Sequence, residues 1–169
     1  MNVAEWAEAY CQAWEQRDAE AAAALFTEGS EYRSHAFMEP NAGREGVRSY
    51  WAEVTSTQAN VSVRMGEPFV DGDRAAVEFW TTMENGGAEV TLAGCLLLRF
   101  DPDGLCSALR EYWFFEEGSK PPHSGWGEYA RASPRRRVRT TPPAVPAGAR
   151  RAPRAASAAD CRSGPRPPS

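Results

Sequence analysis

The chain has 169 residues, the length of one ordinary domain, and a formal net charge of −4. That modest total conceals two opposite parts: residues 1–127 carry 9 Lys and Arg against 21 Asp and Glu, whereas residues 128–169 carry 10 Arg against 2 acids. No apolar run reaches membrane-spanning length, and Cys11, Cys95, Cys106 and Cys161 show no metal-ligand spacing.

Val3, Trp6, Tyr10 and Trp14 recur at helical spacing with acids between them, which predicts a first helix over about residues 2–16. This N-terminus lacks the basic-then-apolar pattern of a secretory signal, and with three cysteines inside apolar periodic segments a reducing cytoplasm is expected. Asp18 is a suitable N-cap for a second helix, DAEAAAALF, which is expected to stop near Gly29. A short strand, SEYRSH, and an irregular loop, AFMEPNAG, follow. Val47, Tyr50, Trp51 and Val54 mark a third helix. Alternation of Val61, Val63 and Met65 with polar residues starts a further strand, which Gly66-Glu67-Pro68 interrupts in the manner of a bulge or edge kink.

Residues 75–115 then form an antiparallel meander with turns at ENGG and DPDG. Period two assigns Val77, Phe79, Thr81, Met83, Val90, Leu92, Gly94, Leu96, Leu98, Leu109, Glu111 and Trp113 to one face. Glu78, Trp80, Ala93, Cys95, Leu97, Arg110, Tyr112 and Phe114 fall on the other. Neither face is simply polar, so both should be covered. The order of elements predicts an α+β domain, residues 1–127, with three N-terminal helices packed in the concave face of a curved antiparallel sheet. Beyond it, residues 128–169 form an Arg-, Pro- and Ala-rich tail with almost no large apolar residue, expected to be disordered. Its arginines suit an arm for nucleic acid or an acidic partner, but no aromatic residues interleave with them as a single-strand binder needs, so a non-functional extension is expected ahead of a nucleic-acid partner.

Four strings in sequence carry a resemblance: AYCQAWEQRDAEAAAALFTEGSEYRS, NAGREGVRSYW, DGDRAAVEFW and LLLRFDPDGLCSALREYW. Together they resemble the nuclear-transport-factor-2-like superfamily, in its SnoaL-like branch, over about residues 2–117. The resemblance implies a cystatin-like cone, and it includes isomerases, polyketide cyclases, epoxide hydrolases, dehydratases and non-catalytic binding or dimerisation domains. The catalytic layout of ketosteroid isomerase, carried over by position, matches its helix-one tyrosine to Tyr10. It places its base on Ser34, with His35 beside it, and its second oxyanion donor on Leu96. Two of three roles are lost, so steroid isomerisation is not expected.

The same correspondence makes Phe79, Thr81, Met83, Leu96 and Trp113 the sheet lining of the cone, closed by Tyr10, Trp14 and Trp51, with Tyr32 and Ser34 supplying hydrogen bonds. A carboxylate among such residues is desolvated and its pKa raised, which suits Glu111 to proton transfer. His35, at the strand end, is the candidate partner base. The expected function is binding of a small, mostly apolar organic molecule, with cofactor-free isomerase, cyclase or hydratase chemistry by His35 and Glu111 and no metal. The alternative is a non-catalytic dimerisation or ligand-sensing module with a filled cone. A homodimer through the outer sheet face is expected, because Trp80, Ala93, Cys95, Leu97, Tyr112 and Phe114 project there with no element left to cover them.

Overall fold

A computed structural model describes residues 2–129; the expectations for the rest of the basic tail lie outside the described residues. Helix α1 (Val3–Gln16) opens with a reciprocal cap between Asn2 and Glu5, in which each side chain accepts from the other's backbone N–H. It ends at Arg17, whose left-handed backbone turns the chain into α2 (Ala19–Ala24), capped by Asp18. Strand β1 (Phe26–Arg33), the two-residue β2 (Asn41–Ala42) and helix α3 (Gly43–Thr55) follow. Five strands complete the body: β3 (Gln58–Met65), β4 (Phe69–Asp71), β5 (Arg74–Asn85), β6 (Ala88–Phe100) and β7 (Cys106–Glu117).

The second helix is shorter and the first strand earlier than the sequence suggests. Leu25 is the reason: its carbonyl accepts both the Trp6 indole N–H at 3.0 Å and the Cys106 N–H at 2.9 Å. These bonds draw Phe26 into parallel register with Cys106 before a third helical turn can form. The segment expected to be an irregular loop contains β2, where Tyr32 and Asn41 pair.

The sheet runs β2-β1-β7-β6-β5-β3, with β4 also on β5, and it is open rather than closed into a barrel. Strands β3 and β4 share one edge of β5, separated by the break at Gly66-Glu67-Pro68 where the Gly66 N–H reaches the Glu78 carbonyl at 2.9 Å. The meander holds the register that alternation predicts: Val77 opposes Leu96, Phe79 opposes Gly94, and Leu96 and Gly94 in turn oppose Glu111 and Trp113. Gly94 is where close packing between β5 and β7 demands glycine on β6. A Cβ there would lie 2.7 Å from the Trp113 Cβ and 2.8 Å from Phe79 Cε1, and nearer still to the Tyr112 carbonyl oxygen.

The helices fill the concave side. Trp6 stacks on Tyr10 with ring centroids 4.9 Å apart, and Trp51 meets Tyr10 and Trp14 edge-on at 5.1 and 5.7 Å. Such pairs contribute about 0.5–1.5 kcal/mol each beyond their burial, which fixes α1 against α3. The Trp14 indole N–H is satisfied by Gln58, tying α1 to β3.

The convex side is partly covered, and here the expectation of a bare outer face needs correction. Residues 119–129 run back across β3 and β5. Trp80 donates to the Lys120 carbonyl at 2.8 Å and packs edge-on against Trp126, over which Arg64 lies at 5.6 Å. The Glu67 N–H bonds to Gly127, and the Tyr129 hydroxyl reaches Glu78 while its ring packs on Phe69. Glu78 thus pairs with this strap. On β7 the outer face stays open: Tyr112 is 50% and Phe114 83% exposed.

Candidate functional site

Glu111 is set by the register of β7. Its cross-strand partner Leu96 is fully buried, and the alternation that turns Leu109 inward turns Glu111 inward two residues later. Strand β1 lies parallel to β7, with Tyr32 opposite Leu109, so the Tyr32 side chain arrives on the same face. Tyr10 descends from α1. The Tyr32 hydroxyl donates to Glu111 Oε1, the Tyr10 hydroxyl reaches the same oxygen at 3.2 Å, and the two hydroxyls are 2.9 Å apart. Among the described residues none donates to Oε2, which leaves that oxygen available for chemistry.

Electrostatics follow from this enclosure. Burial pushes the Glu111 carboxyl up from 4.5 to about 7, while the hydrogen bonds from Tyr32 and Tyr10 pull the other way. The proton is therefore shared between solvent and Glu111 near neutrality, where general acid–base groups work best. Both tyrosines are pushed well above 10, first by burial and then by the Glu111 charge, so they remain hydroxyl donors. Tyr50 is raised for the same two reasons, with a hydrogen bond from Ser34 acting against them.

A cavity of about 520 Å³ opens from this triad toward solvent between α3 and the sheet. Of the residues singled out in the sequence, Tyr10, Trp14, Tyr32, Trp51, Phe79, Met83, Glu111 and Trp113 border it. Tyr50, Val54, Val90, Leu92 and Phe115 complete its apolar wall, and Glu53, Ser56, Thr57, Gln58 and Asn85 bring polar groups to it. Tyr50 had a visible signal, since it flanks Trp51 and Val54 on the third helix. Phe115 continues the Leu109, Glu111, Trp113 alternation by one more step.

Four sequence candidates do not border the cavity. His35 lies beyond the end of β1 in an exposed turn, where its Nδ1 accepts from the Phe37 N–H and its ring packs beside Phe37. It does not share a cavity with Glu111, so the pairing of His35 with Glu111 as base and acid is corrected. The physical reason is that β1 begins at Phe26 and is spent by Arg33, two residues short of the histidine. Ser34 contacts Tyr50 from outside the lining. Leu96 is core beneath Glu111, and Thr81 is fully buried with its hydroxyl unpartnered among the described residues.

A larger, open groove of about 620 Å³ lies at the other end of the sheet, rimmed by Arg33, Arg74, Arg99 and Arg110. Arg74 and Arg99 are engaged by Asp71 and Asp73. The smaller cavity, with Glu111 in its wall, has the chemistry of a site. Among the described residues no cluster of His, Cys, Asp and Glu could hold a metal ion.

Solved structures of the same fold place the cavity in context. A protein with a ketosteroid isomerase-like fold from Catenulispora acidiphila, solved in complex with trimethylamine, is 23% identical with a TM-score of 0.60; the match covers 66% of this chain and 86% of that one. SalBIII, an epoxide hydrolase/cyclase-like enzyme in pyran ring formation in the polyether salinomycin, is 22% identical with a TM-score of 0.58, over 66% and 89%. An epoxide hydrolase from Mycobacterium tuberculosis resembling LEH is 17% identical with a TM-score of 0.56, over 65% and 80%. These likenesses establish the fold. No curated protein sequence matches the chain. The family profile of the SnoaL-like domain matches residues 7–109, more than half of the chain, and the protein therefore belongs to the SnoaL-like domain family.

Proposed function

We propose that the cone binds a small, mostly apolar organic molecule and catalyses cofactor-free proton transfer on it, with Glu111 as the acid–base group. The observation that carries this reading is the position of Glu111. Its carboxyl titrates near neutrality, is held through one oxygen by two tyrosine hydroxyls, and stands in the wall of an apolar cavity. In its carboxylate form Oε2 takes a proton from a weakly acidic C–H of the ligand. The C–H electron pair moves into the neighbouring π system, and the Glu111 carboxyl then returns the proton at another atom, which is an isomerisation. If the same carboxyl instead protonates an epoxide oxygen, its C–O bond breaks as a hydroxyl of the ligand or a water molecule attacks the carbon and gives up its own proton to solvent, which yields cyclisation or hydration respectively. Tyr32 and Tyr10 orient Glu111 and balance its charge by donating to Oε1. The epoxide hydrolase and cyclase-like neighbours support small-molecule chemistry in a cone of this shape.

Deuterium exchange tests proton abstraction from carbon by Glu111 without knowledge of the product. Small ketones and enones that bind the cavity are incubated in D₂O and followed by NMR. Incorporation catalysed by the wild type and abolished in Glu111→Gln is the expected result. Binding without exchange for every ligand would exclude proton abstraction from carbon as the reaction.

The open outer face of β7 supports a second element of the reading, self-association into a homodimer. Tyr112 and Phe114 are exposed, and the contacts of the strap fall on β3, β4, β5 and Thr91 of β6, which leaves the apolar side chains of β7 open to a second copy. Cys11, Cys95 and Cys106 are all unpaired, which supports a reducing, cytoplasmic setting. No helix among the described residues is long and apolar enough to cross a membrane.

A further inference from the structure

The charges bordering the cavity have a single sign. Its ionisable lining is Glu111 in the wall and Glu53 at the mouth, together with tyrosines, and no Lys, Arg or His among the described residues borders it. Glu53 is exposed and sits in the last turn of α3, beside Ser56 and Thr57. The C-terminal end of that 13-residue helix carries the negative pole of its peptide dipoles, so the backbone adds to the field of Glu53 at the opening.

The apolar wall is aromatic rather than aliphatic. Trp14, Tyr50, Trp51, Phe79, Trp113 and Phe115 present rings around the space in front of Glu111. Aromatic faces attract a cation through their quadrupoles, most strongly when water is excluded, while they offer an anion no compensation. A ring-lined cavity with two carboxylates and no basic group therefore discriminates by charge and not only by shape.

We infer that the ligand of this cavity is an organic cation, an alkylated or aryl-alkyl ammonium ion whose nitrogen is held between the aromatic rings and Glu111. The inference rests on the cavity being the ligand site and narrows what it accepts. It also joins binding to chemistry. A positive charge beside Glu111 favours its carboxylate form, which is the form that accepts a proton, so the ligand would prepare the base that acts on it. A neutral ligand of the same shape would lack that effect. An anionic one would face both carboxylates and the helix terminus.

Three isosteric probes separate charge from shape: choline, the neutral 3,3-dimethylbutan-1-ol, and the anionic 3,3-dimethylbutanoate. Binding is read at pH 8 by calorimetry and by shifts of the tryptophan indole resonances. Choline is expected to bind about tenfold or more tightly than the alcohol, and the anion most weakly. Glu111→Gln should remove most of that preference, with an unaltered amide spectrum reporting an intact fold. Glu53→Gln provides a surface variant that cannot disturb the core, and it should lower choline affinity alone, by a few-fold. Equal or tighter binding of the alcohol by the wild type would overturn the inference and leave the cavity a ligand site. Retention of the full choline preference in both variants would overturn it too. Failure of all three probes to bind would remove the cavity reading as well.

Discussion

The Tyr32 hydroxyl donates to Glu111 Oε1 across 79 residues of sequence, from a strand that runs parallel to the one carrying the carboxylate. Every other strand pair in the sheet is antiparallel, so this one parallel contact brings the N-terminal half of the chain to the functional end of the meander. Tyr10, from α1, joins the same oxygen and connects the helical layer to it.

Removing that donor has a defined consequence. Of the hydrogen bonds that hold the Glu111 pKa down, the one from Tyr32 has the larger effect. Tyr32→Phe should therefore raise the Glu111 midpoint further above about 7. The carboxyl ¹³C shift of Glu111, followed through a pH titration, reads this directly. If the protein turns over a substrate by the Glu111 carboxylate, the rising limb of its pH profile should move up with the same midpoint. An unchanged or lower midpoint would show that Tyr32 does not hold the charge.

Stability should depend on pH through the same residue. Glu111 titrates near 4.5 when unfolded and near 7 when folded. Below 4.5 both states are protonated and its contribution is complete. Between the two values the unfolded state loses its proton while the folded state keeps it, so stability falls as pH rises, by about 3 kcal/mol at most once pH exceeds 7. In Glu111→Gln this loss is absent. The variant should match the wild type near pH 4 and exceed it at pH 8 in urea unfolding. The difference between the two proteins cancels the other carboxylates, so a difference that does not change with pH would contradict the raised midpoint.

Much of this was legible in the sequence, and the parts that were not have a common cause. Alternation alone assigned Phe79, Leu96, Glu111 and Trp113 to one face, because period two is a local property and each turn of the meander is short. Glu111 stood out as a carboxylate among apolar neighbours on that face. The tyrosine contacts with it were not legible, since the parallel pairing of β1 with β7 is closed by no turn. His35 was misplaced for the same reason. The end of β1 depends on where the strand starts, and the start depends on Leu25 meeting Cys106 some 80 residues away. Which outer-face residues the strap covers depends on the Gly66–Gly127 approach, in which a Cβ on either glycine would lie 3.0 Å from the other's Cα.

Thr81 shows how a polar residue on the lining face can be core instead. It is fully buried opposite Leu92, and its hydroxyl has no partner among the described residues. An unmet buried hydroxyl costs about 1–3 kcal/mol, and Val replaces it with a methyl of nearly the same shape. Thr81→Val should therefore stabilise the fold by about 1 kcal/mol, raising the melting temperature by roughly 2–8 °C. Ligand affinity should not change. A fall in stability would mean that the hydroxyl has a bound water or partner of its own.

Self-association makes the last prediction. Tyr112 and Phe114 alternate along the outer face of β7, and Phe114 is 83% exposed opposite Ala93 on β6. Burying such rings contributes about 25 cal/mol per Å² of apolar area, before the entropy of association is subtracted. A two-fold axis would set the same patch of each copy face to face, so that one substitution is felt twice. Phe114→Glu places two like charges near that axis. Because the side chain is already solvent-facing in one copy, the variant should keep the circular dichroism and fold of the wild type. Sedimentation velocity at micromolar concentration should show a wild-type dimer and a Phe114→Glu monomer. A wild type that sediments as a monomer would exclude the interface, and a variant that remains a dimer would move it to another surface.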